Sequence, residues 1–202
     1  MNPPVDIERI AIIGCYGNGK STLAKALSER TGLPVVHASP MQYGEGTQKV
    51  TLENCSLGQL FELTLRRHTE RLHAETSANG SYISDGSLMH EWVYLLTRLE
   101  HERFPTPETM GQGVNGTALE LAQSMVDVSF NYARNTYSKI VLLPNEVPLR
   151  DASPPISEHF RQLLNAGFKT HLDARDIPYV ETWGTVGARV RKVLDWQPPR
   201  RT

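Results

Sequence analysis

Cysteine is nearly absent: the 202 residues hold only Cys15 and Cys55. They stand far apart with no C-x-x-C spacing, so neither a disulfide framework nor a cysteine-based zinc site is indicated. No apolar run reaches the roughly 18–20 residues that span a bilayer. The opening MNPPVDIERI carries neither the basic nor the apolar region of a secretory signal, so the expected setting is reducing and cytoplasmic. An excess of charge is also missing, with 21 Lys and Arg against 22 Asp and Glu and a formal net charge of −1. Without a basic block, neither a nucleic acid nor a membrane is an expected partner. What remains is an ordinary globular composition, 39% hydrophobic and 21% charged, of a length that suits one domain spanning residues 1–202. No internal repeat is visible.

Periodicity divides the chain into alternating strands and helices. Arg9 to Ile13 (RIAII) is a short apolar run ending at a glycine, followed by a helical pattern over Lys20 to Arg30 that Gly32 and Pro34 close. Pro34 to His37 (PVVH) reads as a second strand. Ser56 and Gln59 have capping-box spacing ahead of a helix to about Ser77, with Leu57, Leu60, Phe61, Leu65 and Leu72 near one face. Ser81 to Asp85 (SYISD) is a third strand, and Leu88 to Arg103 a further helix. The proline- and glycine-rich stretch at 105–116 reads as a mobile loop, after which Thr117 and Glu120 have the spacing to cap a helix to about Tyr137. Lys139 to Leu143 (KIVLL) is a buried strand. An irregular, lid-like segment near 144–161 leads into a helix from about Ser157 to Arg175, and Pro178 to Thr182 (PYVET) is the last strand before a closing helix. Five strands alternating with helices predict an α/β fold, a Rossmann-like three-layer arrangement of about five parallel strands with helices on both faces. Ligands of such sheets bind beyond the carboxyl ends of the strands.

The sharpest motif lies at the first of those ends. Gly14, Gly19, Lys20 and Ser21 meet the fixed positions of G-x-x-x-x-G-K-[ST], and the segment Gly14 to Thr22 reads GCYGNGKST. Glycines let successive N–H groups turn toward phosphate oxygens where a side chain would collide, and the following helix adds its dipole. Gly14, Gly17, Asn18, Gly19, Lys20, Ser21 and Thr22 are therefore the expected phosphate cradle for ATP or GTP. Lys20 would reach the β and γ phosphates, and Ser21 would supply a hydroxyl to Mg²⁺. Thr22 has two readings, a bond to the α-phosphate side or a helix cap. Cys15 has the environment of an activated thiol, beside Lys20 and a helix N-terminus, with an inert small side chain as the alternative.

Phosphoryl transfer also needs a carboxylate near the phosphates, to hold Mg²⁺ or to accept a proton. Asp85, ending a strand before a helix, is the candidate; a helix N-cap is its other reading. His90-Glu91 opens H-E-x-x-H, but Tyr94 stands where the second histidine is needed, so the zinc-protease reading fails. The histidines at 37, 68, 73 and 171 make no helical pair and read as surface or core. Leu60, Phe61, Trp92 and Tyr94 read as core, with a substrate pocket as the alternative. Arg150 and Arg161 are candidate lid arginines that close on the nucleotide.

With these motifs in hand, the chain resembles the compact P-loop kinases, above all the AAA-type ATPase/kinase family that includes the nicotinamide-riboside-kinase domain of a bacterial NAD-biosynthesis regulator. The resemblance rests on GCYGNGKSTLAKAL, ISDGSLMHEWVY, KIVLLPNEVPLRD and DIPYVETWGTVGARV. It implies ATP with Mg²⁺ and transfer to a small hydroxylated metabolite. It implies Gly14 to Thr22 on the triphosphate, Asp85 at the Mg²⁺ or acceptor position, and Gly184 and Thr185 near the base. Where the family commonly has Asp-Arg-Ser, this chain has Asp85-Gly86-Ser87, and Arg150 precedes Asp151 without the family's Asp-Gly pair. The expectation is a small-molecule kinase that binds a nucleotide and a phosphate acceptor, with a nucleotide-dependent switch as the alternative and a homodimer left open.

Overall fold

Strands buried on both faces are apolar along their whole length, and RIAIIG is of that kind. It forms the central strand β1 (Arg9–Gly14) of the computed structural model, which describes residues 7–46, 49–52, 54–101, 116–149 and 156–199. The remaining elements are α1 (Lys20–Thr31), β2 (Val35–Val36), β3 (Gln42–Tyr43), β4 (Val50–Thr51), α2 (Leu57–Ser77) and β5 (Tyr82–Asp85). They continue as α3 (Leu88–His101), α4 (Thr117–Thr136), β6 (Lys139–Leu143), α5 (Glu158–Asp173), β7 (Val180–Glu181) and α6 (Val186–Asp195). Five strands form a parallel sheet in the order β2-β5-β1-β6-β7, as expected. In register, Ile12 faces Asp85 and Gly14 faces Leu143, so the ends of β5, β1 and β6 open on one edge.

Alternation along β1 sorts the core into two layers. Ile10 and Ile12 pack with Leu23, Ala24 and Leu27 of α1 and Val193 of α6. Ala11 and Ile13 face the opposite cluster, built by α2, α3, α4 and α5 around Leu63, Trp92, Phe130 and Phe168. Each fully buried Leu or Phe in these layers contributes about 1.5–3 kcal/mol. Among the described residues, no helix is long and apolar enough to cross a membrane.

Two expectations differ from the structure, and one element was not anticipated. The hairpin β3–β4 had no sequence signal, since its strands are two residues each. Thr117 does not cap α4: it is the first helical residue, behind an N-cap at Gly116 that makes no side-chain cap bond. The larger difference is in α2. Leu57, Leu65 and Leu72 are exposed, whereas Thr64, Arg71 and Glu75 are buried beside Leu60 and Leu63. This helix turns a polar stripe inward, because that stripe builds an ion network under the sheet edge. The expected mobile loop, apart from Gly116, and Arg150 lie outside the described residues.

Candidate functional site

The loop after β1 owes its shape to its glycines. A Cβ on Gly14 would stand 2.5 Å from the Leu143 carbonyl oxygen, so only glycine permits β6 to pack there. Gly17 and Gly19 take φ of +79° and +85°, the left-handed region that glycine enters without penalty. Asn18 is buried and locks the turn from inside: its amide donates to Leu143 O at 2.8 Å and to Asn145 Oδ1 at 3.0 Å. Its oxygen accepts from Arg161 Nη2 at 2.5 Å, and its carbonyl from Arg189 Nη1 at 2.9 Å.

Lys20, at the start of α1, is half-buried and donates to Cys15 O at 2.9 Å. Burial pulls its ammonium down to about 8, with Cys15 and Asp85 drawing it back up. Ser21 and Thr22 are exposed at the same helix start. Thr22 lies inside α1, whose N-cap is Gly19, so the capping reading of Thr22 is set aside. The activated-thiol reading of Cys15 is also overturned. The side chain is fully buried, and burial pushes the thiol up to about 12 against the pull of Lys20 and Arg161.

Asp85 closes β5, lines the same cavity as Lys20, and its Oδ2 stands 3.2 Å from His37 Nδ1. The N-cap alternative fails for Asp85, because Ser87 Oγ accepts from His90 N at 3.1 Å and caps α3 instead. His37 was expected to be bland; it is exposed but partners the candidate carboxylate. His90 is buried with Nε2 2.7 Å from Gly14 O. A carbonyl only accepts, so Nε2 carries the proton. Burial, then the charge of Lys20, hold this imidazole down to about 3, so it is a neutral prop under the phosphate loop.

Beneath Asp85 lies the network that α2 turns inward. Arg67 donates to both oxygens of Glu91, at 2.7 and 3.0 Å, and Arg71 Nη2 reaches Glu91 Oε1 at 3.2 Å. Burial alone would raise the Glu91 carboxyl, yet the two guanidiniums hold it down to about 2. Arg71 Nη1 donates to Ser84 Oγ at 3.2 Å and to Asp85 O at 3.1 Å. Behind Ser84, Glu75 accepts from Ser84 Oγ at 2.6 Å and from the hydroxyls of Tyr82, Tyr132 and Tyr137. The polar SYIS strand is thereby explained: Tyr82 and Ser84 tie the sheet to this network.

Two cavities flank the phosphate loop. A large one of about 690 Å³ has Lys20, Ser21, Asp85, Arg67 and Arg71 in its wall, together with Leu60, which is buried, and Tyr94, which is partly buried against the core; both were expected to be core rather than pocket and line the cavity as well. A smaller one of about 270 Å³ lies across Gly17 and Gly19 and is lined by Thr22, Glu146, Gly184, Thr185 and Arg189. Glu146 ties its rim, accepting from Gly184 N at 2.9 Å and Arg189 Nη2 at 2.7 Å. Arg161, expected on a lid, is instead fully buried, bonded to Asn18, Glu158 and Val147 O. It braces the phosphate loop from behind.

Solved structures share this architecture. A deoxyadenosine kinase from M. mycoides with bound dATP aligns at a TM-score of 0.63 and 15% identity, over 93% of this chain and 97% of that one. A thymidylate kinase from Candida albicans gives 0.60 and 16%, over 93% and 89%. A NadR protein in complex with NAD and AMP-PNP gives 0.63 and 12%, over 97% of this chain and 51% of that one. At such identities the likeness is one of fold, and no curated protein matches the sequence. The family model of the AAA domain, however, matches residues 9–189, and with its glycine cradle and Lys20 this chain belongs to that family.

Proposed function

We propose that the protein is an ATP-dependent, or GTP-dependent, small-molecule kinase acting on a hydroxylated, nucleoside-like acceptor. One observation carries the reading: Lys20 and Asp85 face the same 690 Å³ cavity, and the glycine loop separates it from the smaller cavity. The base and sugar of the nucleotide suit the smaller cavity, with Gly184 and Thr185 at its rim. The triphosphate suits the loop, whose glycines leave room that a Cβ would fill. Lys20 and the N–H groups of α1 then face the γ-phosphoryl group. Ser21 is the side chain that would hold Mg²⁺, which when bound offsets the charge of the β and γ phosphates, while Asp85 serves the acceptor.

In the transfer, the acceptor hydroxyl oxygen forms a bond to the γ-phosphorus while the bond from that phosphorus to the bridging oxygen breaks. The electron pair of the broken bond leaves with the nucleoside diphosphate. The hydroxyl proton passes to Asp85, whose other face is steadied by His37. Such a step is accelerated mainly by position and by preset charge. His90, Arg161 and Asn18 act at one remove by holding the loop still.

The test is Mg²⁺-dependent release of ADP or GDP with pools of nucleosides, sugars, vitamins and amino alcohols. Lys20→Ala should lower acceptor-dependent release by about 10²–10³-fold. If nucleotide binds and no pool raises a slow basal rate, a nucleotide switch replaces the kinase.

A further inference from the structure

The phosphate loop presents one side chain that the nucleotide does not account for. Of the residues between Gly14 and Lys20, Gly17 and Gly19 have no side chain, and Cys15 and Asn18 are buried. Tyr16 is 61% exposed. It lines the larger cavity together with Lys20 and Asp85 and takes no part in the wall of the smaller one. A residue whose backbone belongs to the nucleotide site thus gives its side chain to the acceptor site.

Exposed aromatic residues scattered singly are ordinary, but the backbone under Tyr16 is pinned on both sides. Gly14 O accepts from His90 Nε2 at 2.7 Å, Cys15 O accepts from Lys20 Nζ at 2.9 Å, and Cys15 Sγ donates to Arg161 O at 3.1 Å. Asn18 is locked to Leu143 O and Arg161, and the Tyr16 N–H faces the Tyr94 hydroxyl. Tyrosine offers a rigid ring with a polar tip on two side-chain torsions, so on a fixed backbone it has little entropy left to lose when a ligand covers it. Because the Lys20 ammonium rests on the carbonyl of the residue before it, Tyr16 stands beside the end of the cavity where phosphoryl transfer would occur. Other polar groups of the wall are already engaged: Arg67 and Arg71 with Glu91, Asp85 with His37, and Thr64 Oγ1 with Leu60 O at 2.9 Å. Among the described residues, no hydrogen bond engages the Tyr16 hydroxyl.

We infer that Tyr16 sorts acceptors by their hydroxyl pattern: its ring packs on the carbon skeleton beside the reacting hydroxyl, and its phenol bonds a second hydroxyl of the same molecule. Met41, Leu52 and Leu95 give the same cavity apolar wall for the rest of that molecule. The inference rests on reading the larger cavity as the acceptor site. It narrows the acceptor to nucleoside-like polyols with a second hydroxyl near the one that reacts. A site built to bond a hydroxyl rejects the analogue that lacks it far more strongly than an apolar wall rejects a missing methylene.

Binding to the protein saturated with Mg²⁺ and a non-hydrolysable ATP analogue separates this inference from the kinase reading. The probes are adenosine, cytidine, guanosine and uridine, each beside its 2′-deoxy and 3′-deoxy forms. Protein carrying 3-fluorotyrosine reports the contact itself by fluorine NMR, with the Tyr16 resonance assigned through Tyr16→Phe. The expected result is a nucleoside that shifts this resonance and binds about tenfold or more tighter than one of its deoxy forms. In Tyr16→Phe that preference should shrink to within about threefold, with nucleotide affinity and melting temperature unchanged. Equal binding of all three forms, no nucleoside that shifts the resonance, or a preference that survives Tyr16→Phe overturns the inference. ADP release is read separately with ATP. A nucleoside that Tyr16 sorts without turnover leaves the inference standing and removes the kinase, whereas turnover with a preference indifferent to Tyr16→Phe does the reverse.

A second variant excludes a merely structural role. Tyr16→Ala removes the ring as well, so it should weaken all three forms of the preferred nucleoside by about tenfold, in KM more than in kcat where turnover is found. If either variant instead lowers nucleotide affinity in parallel, Tyr16 serves the phosphate loop and the inference is lost.

Discussion

The two cavities beside the phosphate loop are built from different materials. The smaller one is rimmed by connections after β6 and β7, and its ties are the partly exposed contacts of Glu146 with Gly184 and Arg189. The larger one is founded on helix interior, where Arg67, Arg71 and Glu91 form a network withdrawn from solvent. Exposed ion pairs are screened and contribute little, whereas breaking a buried pair leaves an uncompensated charge. On the proposed kinase reading, the difference places discrimination on the acceptor side, which the fold itself fixes, while the nucleotide side tolerates adjustment.

The comparison is put under greatest stress by Asp85→Asn, which keeps shape and removes charge at the chemical end of the larger cavity. Acceptor-dependent turnover should fall about 10²–10⁴-fold, the usual loss for a general base. Nucleotide affinity by equilibrium binding should stay nearly unchanged. A parallel loss of both would move Asp85 from the acceptor to the nucleotide side. Arg71→Met probes the foundation of the same cavity. It strips donors from Glu91, Ser84 and Asp85 O, and urea unfolding should report a loss of about 3 kcal/mol, the lower end for a broken buried pair because Arg67 still holds Glu91. A loss as small as that of a surface pair would remove the contrast between the two sides.

The phosphate loop and the smaller cavity, the proposed nucleotide side, were far more legible in the sequence than the larger cavity, the proposed acceptor side, for a physical reason. The glycine loop is local: its residues adjoin, and each is required by a backbone turn or a phosphate contact. The capping box of α2 is equally local, and both arms form, with Ser56 N donating to Gln59 Oε1 and Gln59 N to Ser56 Oγ. The acceptor wall has no such compactness. Arg67 and Arg71 meet Glu91 across 24 and 20 residues, and the amphipathic pattern of α2 misleads because the helix exposes Leu57, Leu65 and Leu72 while burying Arg71 and Glu75. The available clue was the polar strand SYIS, since Tyr82 and Ser84 in a central strand require a buried partner. Arg189 was similarly illegible and Arg161 was misread as a lid residue, as they converge on Asn18 from 171 and 143 residues away.

A smaller effect sharpens the link between the two sides, through Lys20. Burial holds its free-state pKa down to about 8, and phosphates favour its charged form. Below that pH the ammonium already carries its proton, and affinity should be flat. Above it the free protein holds neutral Lys20 and must recapture a proton to bind, so nucleotide affinity should fall by up to about tenfold per pH unit. Calorimetry near pH 8.5 in buffers of different ionisation enthalpy should register that proton uptake, and equal heats in all buffers would count against it.

The smallest effect is expected at the rim of the nucleotide cavity. Glu146→Gln removes the charge opposite Arg189 while keeping an oxygen for Gly184 N. Because that contact is partly open to solvent and screened, nucleotide affinity should change by less than about fivefold, and less still at 0.5 M salt, where the Debye length shrinks to a few ångströms. Arg189 has a second bond, to Asn18 O at 2.9 Å, which keeps it against the phosphate loop after the charge at position 146 is gone. A loss near the size of the Asp85→Asn effect would mean that Glu146 orders the phosphate loop through Arg189. The nucleotide side would then be as rigidly founded as the acceptor side, and discrimination would have to be shared between them.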